Sequence, residues 1–389
     1  MSKLLDGVKV LDFSRYIAGP YCAQLFSDMG AEVIKVEKAG IGDETRILGP
    51  WVNGKSIYFA GYNRDKKSVA VNLRNPDAIA AIRKLADTAD IIIENFRPGV
   101  MAKMGLGYEE LKKTNPGIIM ISVSGFGQTG PYKDRAAFDT IMASIGGLMK
   151  IDPELTPLKP VKPNGAVCDT MSAMYGAIGG LAAYTKRLKT GVGDHVDVAM
   201  LASVVSPALI DVADYVMNGT EYYAPDSAPQ GSAKAKDGWV AYHAGTTSMW
   251  ARMKELVSPE EYPILFDPKY DDVAVRVEER HIIMDEIQRW MSNKTCDEVE
   301  EIFNNAGIPV GIFGTWERLH NNPQLNARHD YIDVDVEGVG KVPYLSLPIK
   351  FDSFKVEDTD HCSYALGAHN KEILGSLGFS DEEIESFEK

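Results

Sequence analysis

Paired cysteines, clustered histidines and a glycine-rich dinucleotide turn are all missing from this chain. The four cysteines, Cys22, Cys168, Cys296 and Cys362, are scattered with no paired spacing. That predicts reduced thiols in a cytoplasmic protein and leaves no place for a thiolate metal cluster. The seven histidines show no metal-ligand spacing, so no metal is expected. The first strand pattern runs into SRYIAGP in place of G-x-G-x-x-G, which takes away the main support for a nicotinamide site. Neither a Walker phosphate loop nor a G-x-S-x-G elbow is found. The N-terminus, MSKLLDGVKVLDF, carries no apolar signal core. No apolar run approaches the ~18 residues of a membrane helix, so no membrane partner is expected. Basic charge is in deficit: 41 Lys and Arg face 55 Asp and Glu, a net charge of −14. That balance argues against nucleic acid and anionic membrane surfaces, yet permits a local basic pocket. The chain also lacks internal repeats and low-complexity tracts.

What is present is a long alternation of strands and helices. With 389 residues, 45% of them hydrophobic and 25% charged, the chain can build two domains around large cores. Short apolar strands are expected at 8–13, 31–37, 68–73, 91–95 and 117–125, with a further one at 194–201. Helices are expected at 21–29, from Pro76 onward, and at 201–217. Short buried strands alternating with amphipathic helices specify an α/β protein with a doubly wound parallel sheet.

After Asn218-Gly219 the composition changes. The stretch 221–238 is rich in Pro, Ser, Gly and Ala and reads as a linker or loop. A smaller α+β domain follows, with a strand at WVAYH, helices at 246–256, 276–291 and 295–306, and the strand IPVGIF. The expected division is 1–224 for the large domain, 225–326 for the small one, and 327–389 for a C-terminal segment ending in two helices.

The stretch 165–188, GAVCDTMSAMYGAIGGLAAYTKRL, puts one carboxylate, Asp169, at the head of a run of small residues. Such a run reads as a helix packed tightly among other elements. Asp169 is either an N-terminal cap or a nucleophile in a dry pocket. Cys168 beside it is either a second nucleophile or a small core residue. In open α/β sheets ligands bind beyond the carboxyl ends of the strands. Those ends carry Ser14-Arg15-Tyr16, Glu37-Lys38, Glu94 through Gly99, and Ser124 through Gln128. Lys38, Arg46, Arg74, Arg97 and Lys103 gather there, which suggests an anionic cofactor.

These runs also carry a family likeness. LDGVKVLDFSRYIAGP, GAEVIKVEKAGIGDETR, ENFRPGVMAKMGLGYEEL, SVSGFGQTGPY, the Asp169 helix, AGIPVGIF, NNPQLNAR and LGAHNKEIL agree in order and spacing with the family III CoA-transferases (the CaiB/BaiF group). The chain resembles that group from end to end. The resemblance implies a Rossmann-like large domain, a small domain, an open-ring subunit and an interlocked homodimer. It implies coenzyme A or acyl-CoA as substrate, together with a small carboxylic acid. It also implies that Asp169 attacks the acyl-CoA to give an aspartyl anhydride and then an aspartyl-CoA thioester. CoA contacts carried over from the family fall on Tyr16, Ile17, Ala18, Lys38, Val71, Arg74, Asn95, Phe96, Arg97, Lys103 and Met104.

Two departures bear on the substrate. Ile17 stands where formyl-CoA transferase has a polar Gln, and the glycine-rich loop of the oxalate-type enzymes is missing. Together with Tyr16, Phe138, Met142, Met171 and Met200, Ile17 suggests an apolar acyl pocket with Asp139 nearby. A monocarboxylic acid is therefore favoured over a dicarboxylate. The rival readings are an α-methylacyl-CoA racemase and a CoA-binding relative without turnover. The racemase motif carries a His before the Asp at the position of Phe138, and a phenyl ring moves no protons.

Overall fold

The computed structural model describes residues 3–149, 163–219, 227–356 and 362–389. Strand β1 (Lys9–Asp12), helix α1 (Ala18–Asp28) and β2 (Glu32–Lys38) open the chain. A small hairpin, β3 (Trp51–Val52) and β4 (Lys55–Ser56), leads into α2 (Ile57–Asn63). Then come β5 (Lys67–Val71), α3 (Pro76–Ala86), β6 (Ile91–Glu94), α4 (Val100–Lys103), α5 (Tyr108–Leu111) and β7 (Ile119–Ser124). Helix α6 (Asp139–Ile145), the long α7 (Val167–Thr190), β8 (His195–Ala199) and α8 (Met200–Val205) follow.

The six sheet strands lie in the order β5-β2-β1-β6-β7-β8, and every pairing is parallel. The chain winds outward from β1 to one edge, returns to β6 beside β1, and winds to the other edge. Loops after β1 and β6 therefore part in opposite directions and open a crevice between them. Alternate residues serve opposite faces. Val10, Val33, Ile93 and Ile121 pack toward α1 and α7, while Leu11, Ile34, Val69 and Ile92 pack toward α3 and the C-terminal helices. Burial on both faces explains why these strands are continuously apolar.

Helix α7 needs its small residues. A Cβ on Gly180 would lie 2.5 Å from Ile121 Cδ1 and 2.9 Å from the Phe26 ring. One on Gly179 would lie 2.5 Å from Val196 Cγ1. The helix lies close against β7, β8 and α1, which fixes where its N-terminal turn, with Asp169, stands.

The expected helix at 201–217 is divided. A 3-10 turn at Ser206–Ala208, around Pro207, separates α8 from α9 (Leu209–Asn218). The absence of a long apolar run also needs correction. Met200–Asn218 spans 19 residues with a mean hydropathy of 1.5 and is 17% buried in that window, enough by length and composition to cross a membrane. Serines, alanines and the two acids Asp211 and Asp214 interrupt it as a string of letters, but its average is apolar.

The chain forms two compact units, residues 1–208 with 325–389, and Leu209–Gln324. The boundary expected at 224/225 lies outside the described residues, and α9 groups with the second unit. That unit holds the antiparallel sheet β11-β10-β9, formed by β9 (Gln230–Lys234), β10 (Trp239–His243) and β11 (Val310–Ile312). Helices α10 (Thr247–Glu255), α11 (Val273–Glu278), α12 (Arg280–Met291) and α13 (Cys296–Asn305) cover it. The single helix expected at 276–291 is broken at Glu279. Arg276 is fully buried there, donating to the carbonyls of Ala228, Tyr270 and Gly245 at 2.8, 2.6 and 3.0 Å.

Two short helices, α14 (Trp316–His320) and α15 (Pro323–Ala327), precede the hairpin β12 (Tyr331–Val336) and β13 (Gly340–Leu345). The closing pair is α16 (Asn370–Ser376) and α17 (Asp381–Phe387). Asn370 fastens this segment to the sheet edge. Its amide accepts from Ala70 N at 2.8 Å and donates to Ala70 O at 3.0 Å, as a neighbouring strand would.

Candidate active site

The crevice at the β1/β6 switch point is stitched by one side chain. Asn95 accepts from Arg15 N at 2.9 Å and donates to Arg15 O at 2.7 Å. Beneath the β1 loop lies a buried ionic network. Lys66 donates to Asp12 Oδ2 at 2.8 Å and to Pro20 O at 2.8 Å. Lys35 meets Asp43 at 3.0 Å and donates to Ser14 O at 2.9 Å. Ser14 binds Asp12 through both its N–H and its hydroxyl. Burial alone would raise the Asp12 carboxyl, but Lys35 and Lys66 hold it below its ordinary value. Burial pushes the Lys66 ammonium down to about 8. The network supports Tyr16 in a left-handed backbone conformation, φ 64°, with its N–H donating to Asp43 at 3.3 Å. Charged side chains thus do for this loop what glycines do in a dinucleotide turn.

Two cavities flank the crevice. The first, about 800 Å³, has Asp169 on its wall together with Tyr16, Ile17, Ala18, Asn95, Phe96, Arg97, Phe138, Asp139 and Met200. The second, about 780 Å³, is lined by Lys38, Arg74, Phe96, Arg97, Met104 and Glu388. Arg15, Phe96 and Arg97 belong to both, so the two form one continuous path from the basic nucleotide-sized chamber to Asp169.

Asp169 sits in the first turn of α7, whose N-cap is Ala166 with no side-chain cap. It is therefore not the capping residue. That role falls to Asp139, the first residue of α6. Its Oδ1 accepts from Cys168 N at 2.8 Å and from Asp169 N at 3.2 Å. The dipole of the helix start makes this a favourable place for an anion. Cys168 is fully buried and so belongs to the core. None of the four cysteines is disulfide-bonded.

Other expected site residues lie elsewhere. Val71 is fully buried at the end of β5, where its carbonyl accepts from Ala39 N at 3.1 Å; it lines neither cavity. Lys103, exposed at the end of α4, lines neither as well. Met142 is fully buried in the core and Met171 does not reach the cavity wall. Arg46 is removed from the cations that could meet a ligand. It is paired with Glu37 through two hydrogen bonds of 2.8 and 2.7 Å and lies 3.9 Å over the Phe59 ring.

Four wall residues escaped the sequence reading. Tyr58 and Tyr62 line the Asp169 cavity from α2, one turn apart with rings 5.5 Å from each other. Burial, reinforced by the negative charge of Asp169, pushes both phenols upward, so they stay protonated donors. Their i, i+4 spacing was the available signal. Lys133 and Arg135, on the segment between β7 and α6, line the same cavity.

A family model described as CoA-transferase family III matches residues 5–370. The chain belongs to CoA-transferase family III. The succinyl-CoA–D-citramalate CoA-transferase of Chloroflexus aurantiacus is 33% identical over 98% of this chain and 96% of its own length. The mouse succinyl-CoA:glutarate CoA-transferase is 34% identical over 98% of this chain and 88% of its own. Among solved structures, a CaiB/BaiF family protein from Brucella suis matches with a TM-score of 0.83 and 30% identity, covering 97% of this chain and 100% of that one. As a family III member, the protein is an enzyme whose substrates are CoA thioesters, and the path between the two cavities is the place where its geometry can take one.

Proposed function

We propose that this enzyme moves CoA from a dicarboxylic acyl-CoA, of the succinyl-CoA kind, to a second carboxylic acid, with Asp169 as the nucleophile. The observation that carries the reading is Asp169 itself: a carboxylate in the first turn of a helix capped by a second carboxylate, Asp139, on the wall of an open path lined with cations. In the first step its oxygen attacks the thioester carbonyl, the C–S bond breaks, and CoA leaves as thiolate. The thiolate then attacks the Asp169 acyl carbon of the mixed anhydride and frees the donor acid. The acceptor carboxylate attacks the aspartyl thioester, expelling thiolate, and the thiolate finally takes the acceptor acyl group and restores Asp169. Covalent catalysis divides a hard exchange into easier ones. The N-terminus of α1 at Ala18 and the phenols of Tyr58 and Tyr62 supply donors for the oxyanions that form. Lys38 and Arg74 would take the nucleotide phosphates, and Asn95, Phe96 and Arg97 the pantetheine arm.

A dicarboxylic acceptor replaces the monocarboxylic acid expected from the apolar wall residues. The two transferases named above pair succinyl-CoA with citramalate or glutarate, and the cations on the Asp169 cavity suit a diacid better. We also propose a homodimer of interlocked open rings. The apolar side chains that α9 exposes, Leu209, Ile210, Val216 and Met217, favour burial against protein.

Intact-mass spectrometry after incubation with succinyl-CoA, with hydroxylamine trapping and Asp169→Ala alongside, tests the mechanism. An adduct mapped to Asp169 and absent from the variant is expected. Exchange of the α-proton with no adduct would replace this reading with the racemase, and CoA binding with neither would leave a binder.

A further inference from the structure

We propose that Lys133 and Arg135 form the subsite for the second carboxylate of a dicarboxylic acid and so select diacids over monoacids. The inference rests on the reading of the Asp169 cavity as the site of acyl transfer.

Both residues line the cavity that holds Asp169, and neither lines the one that holds Lys38 and Arg74. They stand at the acyl end of the path, away from the nucleotide end. Among the described residues neither is paired with a carboxylate. Arg15, on the same wall, is committed by contrast: it meets Glu44 at 2.5 Å. Arg135 is held over the Tyr132 ring, 3.5 Å from its centroid. Such stacking orients a guanidinium and leaves the edge of its fork free for a carboxylate.

Charge explains why two cations are useful there. The cavity already contains Asp139 and Asp169, in a protein of net charge −14. A diacid brings a second negative group into that field, and cations within reach offset the repulsion. A monoacid with an apolar chain would be served by Ile17, Phe138 and Met200 alone, and would leave Lys133 and Arg135 without a role. A carboxylate bound by two charge-assisted donors gains both affinity and a fixed orientation of the reacting end.

The test compares glutarate with pentanoate, which has the same chain but one carboxylate fewer, as acceptors from succinyl-CoA. In a double-displacement reaction kcat/KM for the acceptor excludes the donor half, so the comparison isolates the acceptor site. For Lys133→Ala and Arg135→Ala the ratio of kcat/KM, glutarate over pentanoate, should fall roughly 10- to 100-fold. Arg135→Lys should recover part of it. Calorimetric binding of CoA, glutarate and pentanoate completes the measurement. An unchanged ratio overturns the proposal. So does an equal loss with both acids that tracks weaker CoA binding, because the cations would then serve CoA. If the wild type transfers no CoA to any acid yet binds glutarate in preference through these residues, the transferase reading fails and the subsite stands. If it transfers CoA with no such dependence, the subsite fails alone. No transfer and no binding preference would end both.

Discussion

Glu94 offers a direct test of how the ligand loop is anchored. It ends β6 immediately before Asn95, Phe96 and Arg97, and only 4% of its surface is exposed. Its Oε2 accepts from Phe96 N at 2.8 Å, and the Ser122 hydroxyl also donates to it. Ser122 in turn lies 2.9 Å from His195 Nε2, whose ring stacks on Tyr108. The charge that acts on Glu94 is Asp197, a like charge, and His195 beyond Ser122 is kept neutral to lower pH than usual by burial. Among the described residues no cation offsets its burial, which pushes the carboxyl up from 4.5 to about 7. The sign follows. Between those values the unfolded chain has released a proton that the native state still holds, so native stability falls as pH rises through that window. Above pH ~7 the whole cost is present, about 3 kcal/mol at ~1.4 kcal/mol per unit. Glu94→Gln keeps the shape of the neutral acid and the acceptor for Phe96 N, but cannot ionise. In urea titrations the variant should match the wild type near pH 4.5 and exceed it by ~3 kcal/mol near pH 8.5. Other titrating groups cancel in the difference. A variant less stable than the wild type at pH 8.5, or a difference that does not change with pH, would refute the reasoning.

Three further outcomes are expected. Asp139→Ala should cost about 1–3 kcal/mol in chemical denaturation, because it leaves Cys168 N and Asp169 N without the Oδ1 acceptor they share. CoA transfer in that variant should fall in kcat more than in KM for CoA, as Asp139 touches the Asp169 turn and lines only the acyl cavity. Gly180→Ala should lower the urea midpoint by an amount equivalent to about 1–3 kcal/mol, since its methyl would stand 2.5 Å from Ile121 Cδ1. Lys66→Met strands Asp12 beside a single remaining lysine and should destabilise by about 3–5 kcal/mol, with CoA affinity falling as the Tyr16 loop loosens, measured by calorimetry.

The parallel sheet was legible because its strands announce themselves twice, by continuous apolar runs and by the turn residues between them. IIIE and IMISVS can be little else in an alternating chain. What was hidden lies where letters mislead. Met200–Asn218 is apolar on average but broken by Pro207, so the chain text neither shows a long span nor places the break. Arg46 reads as a ligand cation and is a structural one, because its partner Glu37 is nine residues away and no local spacing joins them. Asp169 reads as either a cap or a nucleophile, and the cap comes from Asp139 on another helix, a contact that only the fold makes. Tyr58, Tyr62, Lys133 and Arg135 were missed for the same reason: the helix and loop that carry them have ordinary compositions, and only packing turns them toward one cavity.

The missing glycine motif and the buried ions under the β1 loop are two sides of one solution. A dinucleotide turn uses glycines to bring bare backbone against phosphates at the first strand end. Here the same strand end carries Ser14, Arg15 and Tyr16, and the cations Lys38 and Arg74 follow the next two strands outward, β2 and β5. Ser14 and Arg15 border the chamber of those cations, while Tyr16, Ile17 and Ala18 line the cavity of Asp169. A loop with full side chains at a left-handed position costs conformational energy, on the order of 1 kcal/mol or more. The buried set of Asp12, Lys35, Asp43 and Lys66 supplies the fixed contacts that hold it. A hydrophobic replacement of that set would pack as well, but would lose the hydrogen bonds to Ser14, Tyr16 and Pro20 that set the loop's path. The buried ions thus set the path of a loop that, in the function proposed above, serves acyl chemistry on the same sheet order that binds dinucleotides elsewhere.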